Sequence, residues 1–269
     1  MPLKISLQRS KVVQTLRLLR LHCYPIFEQL QLEEALLRAD ESNWCLINEG
    51  TPPAIVLGIS GQIDKLVHEE RFCKDPVPLV RRFSGGGTVF VDEQTLFITF
   101  ICNAHHAPVL PNPENILHWS AELYKEILHG TSFRLRENDY AMEDKKCGGN
   151  AQYFRKERWL HHSSWLWDFS LDKMDYLLHP PRVPCYRQGR SHEEFLCRLK
   201  EHFSSKELFV SRTLGALCKR FVLEERSLEE CLPIKALPHR KTTELLKGYG
   251  KEEKVAEESL IQKICEKSC

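Results

Sequence analysis

Apolar and polar positions along the chain fall into helical and extended stretches in succession. From Tyr24 to Arg38, apolar Ile26, Phe27, Leu30, Ala35, Leu36 and Leu37 recur at helical spacing and predict an amphipathic helix. "WCLIN" and "AIVLGI" follow as short strands separated by the turn signal "EGTPP". After the breaker "DPVP" comes "RRFSGGG", and then "TVFV" and "TLFITFI". These two are rich in β-branched and aromatic residues, are joined across "DEQ", and read as a hairpin. "NILHWSAELYKEILHG" predicts a helix with an Asn-type cap and a stop at Gly130. "FRLREND" leads to a second glycine pair in "KKCGGNAQ". The bulky alternation of "RWLHHSSWLWDF" predicts a strand buried on both faces.

Further on, "HPPRVPCYRQGR" reads as a loop, and "HEEFLCRLKEHF" and "KELFVSRTLGALCKRFVLEE" as two helices. Beyond about Glu225 the chain is charged and loses apolar periodicity. The expected organisation is a basic N-terminal extension over 1–23, one folded domain over 24–225, and a charged C-terminal tail over 226–269. The fold class is α+β, a mixed and mostly antiparallel sheet flanked by helices.

Composition narrows the options. The chain has 269 residues, 42% of them hydrophobic, which is enough for a core. Its 38 basic and 37 acidic residues leave a net charge of +1, so no nucleic-acid partner is expected. No apolar run approaches a membrane span, so no membrane association is expected. Eleven cysteines are scattered without a C-x-x-C, which argues against a disulfide framework or zinc site and for reduced thiols in an intracellular, reducing compartment. Lys4, Arg9, Lys11, Arg17 and Arg20 precede the first acid, Glu28. That bias suits an organellar transit peptide or, equally, a basic lead-in to the first core element, so the location is cytoplasmic or mitochondrial.

The candidate chemistry lies in three places. Gly85, Gly86 and Gly87 let a backbone approach an extended ligand and aim N–H groups at an anion, with Ser84 beside them and Arg82 supplying a guanidinium fork. No P-loop or dinucleotide fingerprint is present. Asn138 and Asp139 supply oxygen donors suited to Mg²⁺ and a triphosphate, Asp139 being the metal-ligand candidate. Lys146 adjoins Gly148 and Gly149, from where its amine can neutralise charge on a carboxylate–phosphate centre. His161 and His162 lie on an apolar strand and point to opposite faces, so one of them is expected to look into a ligand pocket.

In order, R-R-x-S-G-G-G-x-V, N-D, K-x-G-G-x-A-Q and W-x-H-H-x-S-x-L resemble the lipoate–protein ligase family, in particular a eukaryotic branch with "GGNAQ" and "LHH" segments. The resemblance covers roughly Tyr24 to Glu225. It implies the catalytic-domain fold shared by biotin and lipoate ligases, and activation of lipoate with ATP and Mg²⁺ to lipoyl-AMP. The lipoyl group would then pass to a lysine of an acceptor, either a lipoyl domain of a 2-oxoacid dehydrogenase complex or glycine cleavage H protein. It makes Lys146 the catalytic residue, places Arg82, Ser84 and Gly85 to Gly87 on the acyl and adenylate pocket, and assigns Asn138, Asp139, Gly148, Gly149, His161 and His162 to substrate binding. Two departures stand out: Val91-Asp92 where many relatives have His-Asp, and Cys147 after the lysine. The alternatives are an ATP-free octanoyl or lipoyl transferase acting through a cysteine thioester, with Cys147 the nearest thiol, and a non-catalytic lipoate-binding relative. Biotin as the acyl substrate is a further one, disfavoured by "RRFSGGG".

Overall fold

A computed structural model describes residues 13–106, 109–179 and 183–246. The chain opens with strand β1 (Gln14–His22), helix α1 (Ile26–Ala39), β2 (Trp44–Glu49) and β3 (Ala54–Leu57). Short helices α2 (Ile63–Leu66) and α3 (Glu69–Lys74) lead to β4 (Leu79–Arg81), β5 (Val89–Val91) and β6 (Thr95–Asn103). Helix α4 (Pro113–Ile127) precedes the run β7 (Phe133–Arg136), β8 (Asp139–Met142), β9 (Lys145–Arg155) and β10 (Arg158–Leu166). Then come α5 (Leu171–Met174), α6 (His192–Phe195), α7 (Lys206–Cys218), β11 (Phe221–Arg226), α8 (Leu228–Ala236) and β12 (Glu244–Leu245).

Eight strands form one sheet in the order β11-β1-β2-β6-β10-β9-β8-β7, and four form a second in the order β12-β4-β3-β5. In the large sheet β11, β1 and β2 run parallel, and every other neighbouring pair is antiparallel. The period of two in β6 shows why both faces are covered. Leu96, Ile98, Phe100 and Cys102 point into a core with α4 and α7, whereas Phe97 and Ile101 point to the side of α1 and the small sheet. Trp159 and Trp165 of β10 join the α4–α7 core, and Leu160 joins the other.

Four sequence expectations change. Residues 14–22 are no extension, because β1 pairs with both β2 and β11 in the large sheet. Arg17 and Arg20 lie on that strand, near Asp40 and Glu49, while Lys4, Arg9 and Lys11 lie outside the described residues, and with them the transit-peptide reading. "TVFV" and "TLFITFI" do not pair as a hairpin: β5 joins the small sheet and β6 the large one. Buried Asp92 makes the turn between them, where its carboxylate accepts from the Gln94 N–H and its own N–H donates to Thr95 Oγ1. Of the two C-terminal helices, the first shrinks to α6, and "FVLEER" is strand β11. The tail folds as far as Leu246: α8 packs on α1, and β12 adds to β4. Residues 247–269 lie outside the described residues.

Helix α1 carries three buried polar side chains, Gln29, Glu33 and Glu34. Glu34 accepts hydrogen bonds from the backbone and hydroxyls of Thr242 and Thr243, which tie the last described segment to the core. Among the described residues no helix is long and apolar enough to cross a membrane.

Candidate functional site

Between the two sheets lies a cavity of about 410 Å³. One wall is the large sheet, with Lys146 and Gly149 of β9 and Ser164 and Leu166 of β10. The facing wall is Gly87, Thr88 and β5. Met174, Leu177 and Leu178 make one flank apolar, and Asn138, Asp139 and Arg187 contribute polar groups.

The glycine loop has a built geometry. Arg82 is 5% exposed and donates from Nε and Nη2 to the Gly85 carbonyl at 3.1 and 2.9 Å, and from Nη2 to the Gly87 carbonyl at 2.8 Å. Gly86 sits at φ +105°, and a Cβ there would stand 2.7 Å from Arg82 Nη2. Beneath it a Cβ on Gly58 would meet the Gly86 carbonyl oxygen at 2.3 Å, so two backbones touch where only glycine fits. Burial lowers the Arg82 pKa to about 10, while Glu33 acts in the opposite sense. Arg82 therefore holds the loop in shape and does not line the cavity. The expectation that its fork meets a ligand phosphate is corrected, because those donors are spent on the loop's own carbonyls. Ser84 is likewise buried, and its carbonyl accepts from the Ile59 N–H.

Lys146 is positioned by a bulge. The register between β8 and β9 shifts between Tyr140 and Ala141, and the Lys146 carbonyl accepts from the Cys197 N–H at 2.9 Å. Its Nζ lies 2.8 Å from Asp139 Oδ1, and Tyr186 donates its hydroxyl to Asp139 Oδ2 at 3.0 Å. Burial and the adjacent Asp139 push the Tyr186 pKa up, so the phenol stays protonated and donates. A Cβ on Gly149 would stand 3.3 Å from Lys146 Nζ, so the second glycine of the pair leaves the amine its room. Gly148 lets β9 pass close to the Trp165 ring.

Both oxygens of Asp139 are engaged, and among the described residues no cluster of three His, Cys, Asp or Glu side chains could hold a metal ion. In this arrangement Asp139 is the partner of Lys146 and Tyr186.

Neither histidine lines the cavity. His162 is 8% exposed, faces α1, and lies 3.1 Å from both oxygens of Glu33 and 2.9 Å from Thr99 Oγ1. His161 points to the α4–α7 side, with Nε2 2.8 Å from the Tyr140 hydroxyl and Nδ1 3.0 Å from Gln152 Nε2. The placement corrects the expectation that one of them looks into the pocket: opposite strand faces send each into its own hydrogen-bonded core site. Arg187, missed in the sequence, does line the cavity; it sits in the proline- and arginine-rich loop, where no periodicity singles out one basic side chain.

The class of protein this defines is a two-sheet α+β domain with a lysine–aspartate pair in the wall of a cavity between the sheets. The family model described as "Lipoyl protein ligase A/B catalytic domain" matches residues 25–221, and the chain belongs to that family. It is 26% identical over 255 residues, covering 72% of this chain and 66% of the relative, to the "Inactive lipoate–protein ligase 2" of Plasmodium falciparum. It is 28% identical over 208 residues, covering 74% of this chain and 60% of the relative, to the lipoate-protein ligase A of Blochmanniella pennsylvanica. The chain thus spans less than two thirds of the length of these curated relatives. Among solved structures it resembles lipoate-protein ligase A bound with ATP, with a TM-score of 0.68 at 17% identity over 83% of this chain and 92% of that one. A bipartite ligase from Thermoplasma acidophilum, solved as part of a lipoylation system with its E2 lipoyl domain, gives a TM-score of 0.65 at 18% identity, over 82% and 91%. At these identities the structures establish the fold.

Proposed function

We propose that this chain is an ATP-dependent lipoate–protein ligase. One observation carries the reading: the Lys146 amine stands in the wall of a cavity that has the glycine loop opposite and an apolar flank beside it. The apolar flank suits the ring and alkyl chain of lipoate. The lipoate carboxylate attacks the α-phosphorus of ATP and pyrophosphate departs, leaving a mixed anhydride along Gly87. Lys146 offsets the charge that gathers there, first on the phosphoryl oxygens and then on the carbonyl oxygen when an acceptor lysine attacks and AMP leaves. Asp139, braced by Tyr186, holds the amine in place until the ligand takes it over. Acceptors of this reading are lipoyl domains of 2-oxoacid dehydrogenase complexes and glycine cleavage H protein.

The thioester alternative is disfavoured because no cysteine lines the cavity among the described residues, and Cys147 is fully buried towards α4 and α7, where burial raises its pKa well above that of a free thiol. The test is incubation of the purified chain with lipoate, ATP, magnesium and an acceptor lipoyl domain. Pyrophosphate release and a lipoyl mass gain on one acceptor lysine are expected. No pyrophosphate, together with octanoyl labelling of a cysteine from an octanoylated carrier protein, would overturn the reading.

A further inference from the structure

Two side-chain polar atoms in the cavity wall are buried without a hydrogen-bond partner among the described residues: Thr88 Oγ1 and Arg187 Nη2. They come from different parts of the chain, Thr88 from the end of the glycine loop and Arg187 from the turn after Pro184. Arg187 is 5% exposed. Its other fixtures are structural: Nε donates to the Arg190 carbonyl at 2.9 Å, and the guanidinium carbon lies 4.9 Å from the centre of the Phe195 ring. Arg190, which repels it, is itself committed to the carbonyls of Arg187, Asp144 and Tyr186. No carboxylate forms an ion pair with Arg187 among the described residues; Asp139, the acid that acts on it through space, is paired with Lys146. A buried guanidinium stays charged, and a buried charge held this way calls for an anion. Arg82, the arginine that the glycine motif suggests for that task, is turned away onto its own loop.

We infer that Arg187 is the phosphate-binding guanidinium of this cavity, with Thr88 Oγ1 as a second contact to the same phosphorylated ligand. The inference deepens the ligase reading, on which it rests for the identity of the nucleotide. A planar fork beside the point charge of Lys146 suits adjacent phosphoryl oxygens, those of the triphosphate before transfer and of pyrophosphate after it. Arg187 then sets nucleotide affinity, while the acyl chain is held by the apolar flank.

Inorganic pyrophosphate and lipoate, titrated separately by calorimetry into the full chain, test this without requiring turnover. The wild-type chain is expected to bind pyrophosphate. Arg187→Met is expected to weaken that binding at least tenfold and Arg187→Lys at least threefold, with lipoate affinity unchanged within twofold. If Arg187→Met does not fold, Arg187→Lys, which keeps the charge and loses the fork, decides the matter. Pyrophosphate affinity unchanged in the folded variants, an equal loss for lipoate, or no pyrophosphate binding by the wild-type chain would overturn the inference. A chain that binds pyrophosphate through Arg187 yet forms no lipoyl-AMP would sink the ligase reading and leave the phosphate site standing.

Discussion

The Lys146 amine and the Asp139 carboxylate stand 2.8 Å apart, and Asp139 is only 9% exposed. The ligase reading gives each a separable role: the amine meets substrate, and the carboxylate holds the amine. Lys146→Met should lower lipoyl transfer by about 10²–10³-fold, the usual cost of losing one preorganised charge stabiliser. It should also lower Tm, because a mostly buried carboxylate is left with Tyr186 alone. Adding Asp139→Asn should restore Tm towards wild type without restoring transfer. Transfer assays and thermal unfolding on the three proteins check this, and transfer by Lys146→Met within threefold of wild type would remove the amine from the mechanism.

Gly86 and Gly87 of the loop should respond differently to alanine. Gly86→Ala meets a positive φ and Arg82 Nη2 at 2.7 Å, so a loss of more than about 1 kcal/mol in stability is expected. Gly87 has open space at its Cβ position and lines the cavity, so Gly87→Ala should keep the stability of the wild type and weaken lipoate or nucleotide binding instead. Chemical denaturation and ligand titration separate the two. Equal stability losses would mean the loop is not shaped as described.

Cys147 tests the thioester alternative. Its side chain is fully buried in the α4–α7 core, with Sγ 3.4 Å from the Tyr140 carbonyl. Cys147→Ala should cost about 1 kcal/mol of stability through a small cavity and leave lipoyl transfer within a few-fold of wild type. Loss of transfer with an unchanged Tm would return the thiol to candidacy.

Local patterning made most elements legible, and the misses share one cause. β-Branched and aromatic content marks β6 as a strand, bulky partial alternation marks β10, and helical spacing marks α1. Which sheet a strand joins depends on partners far along the chain, so "TVFV-DEQ-TLFITFI" looks like a hairpin although β5 pairs with β3 and β6 with β2 and β10. In "TLRLLRLH" the arginines suggest an exposed lead-in, yet Leu16 and Leu18 are buried on one face of the sheet and Leu19 and Leu21 on the other. Of the residues in the ordered motifs, Lys146, Asp139 and Gly87 line the cavity, whereas Gly85 and Gly86 do not. The motifs could not tell that Arg82 serves its own loop, because that is a matter of where a flexible side chain turns. Arg187 lay among several basic residues of an irregular loop, with nothing in the sequence to mark its burial.

Glu34 is 1% exposed and is held by Thr242, Thr243 and Arg38. Burial alone would raise its pKa, but the hydrogen bonds from Thr242 and Thr243 hold it below the usual value. Ending the chain after Lys241 removes those donors and β12 together and strands a buried carboxylate beside Arg38. A fall in Tm of several degrees is expected, since about 1 kcal/mol corresponds to roughly 2–4 °C at this size. Thermal unfolding of the shortened chain, with an unchanged Tm as the contrary result, checks whether this segment belongs to the fold.

His161 should make the fold acid-sensitive. Its Nδ1 accepts from Gln152 Nε2, so Nε2 carries the proton and donates to the Tyr140 hydroxyl, and the ring is neutral. Burial, aided by repulsion from His162, lowers its pKa to about 3. An unfolded histidine titrates near 6.5. Below that pH the unfolded chain binds a proton that the folded chain refuses, so stability is complete above about 6.5 and falls progressively as pH drops towards 3. Between pH 7.5 and pH 5 this group alone should remove about 2 kcal/mol. His192, lowered to about 4 chiefly by burial and then by Arg187, has the same sign and is common to both proteins in the comparison. Urea unfolding of wild type and His161→Gln at the two pH values isolates the difference. The variant is expected to start less stable at pH 7.5 and to lose about 2 kcal/mol less on acidification. Parallel losses in the two proteins would show that His161 takes up its proton in the folded state.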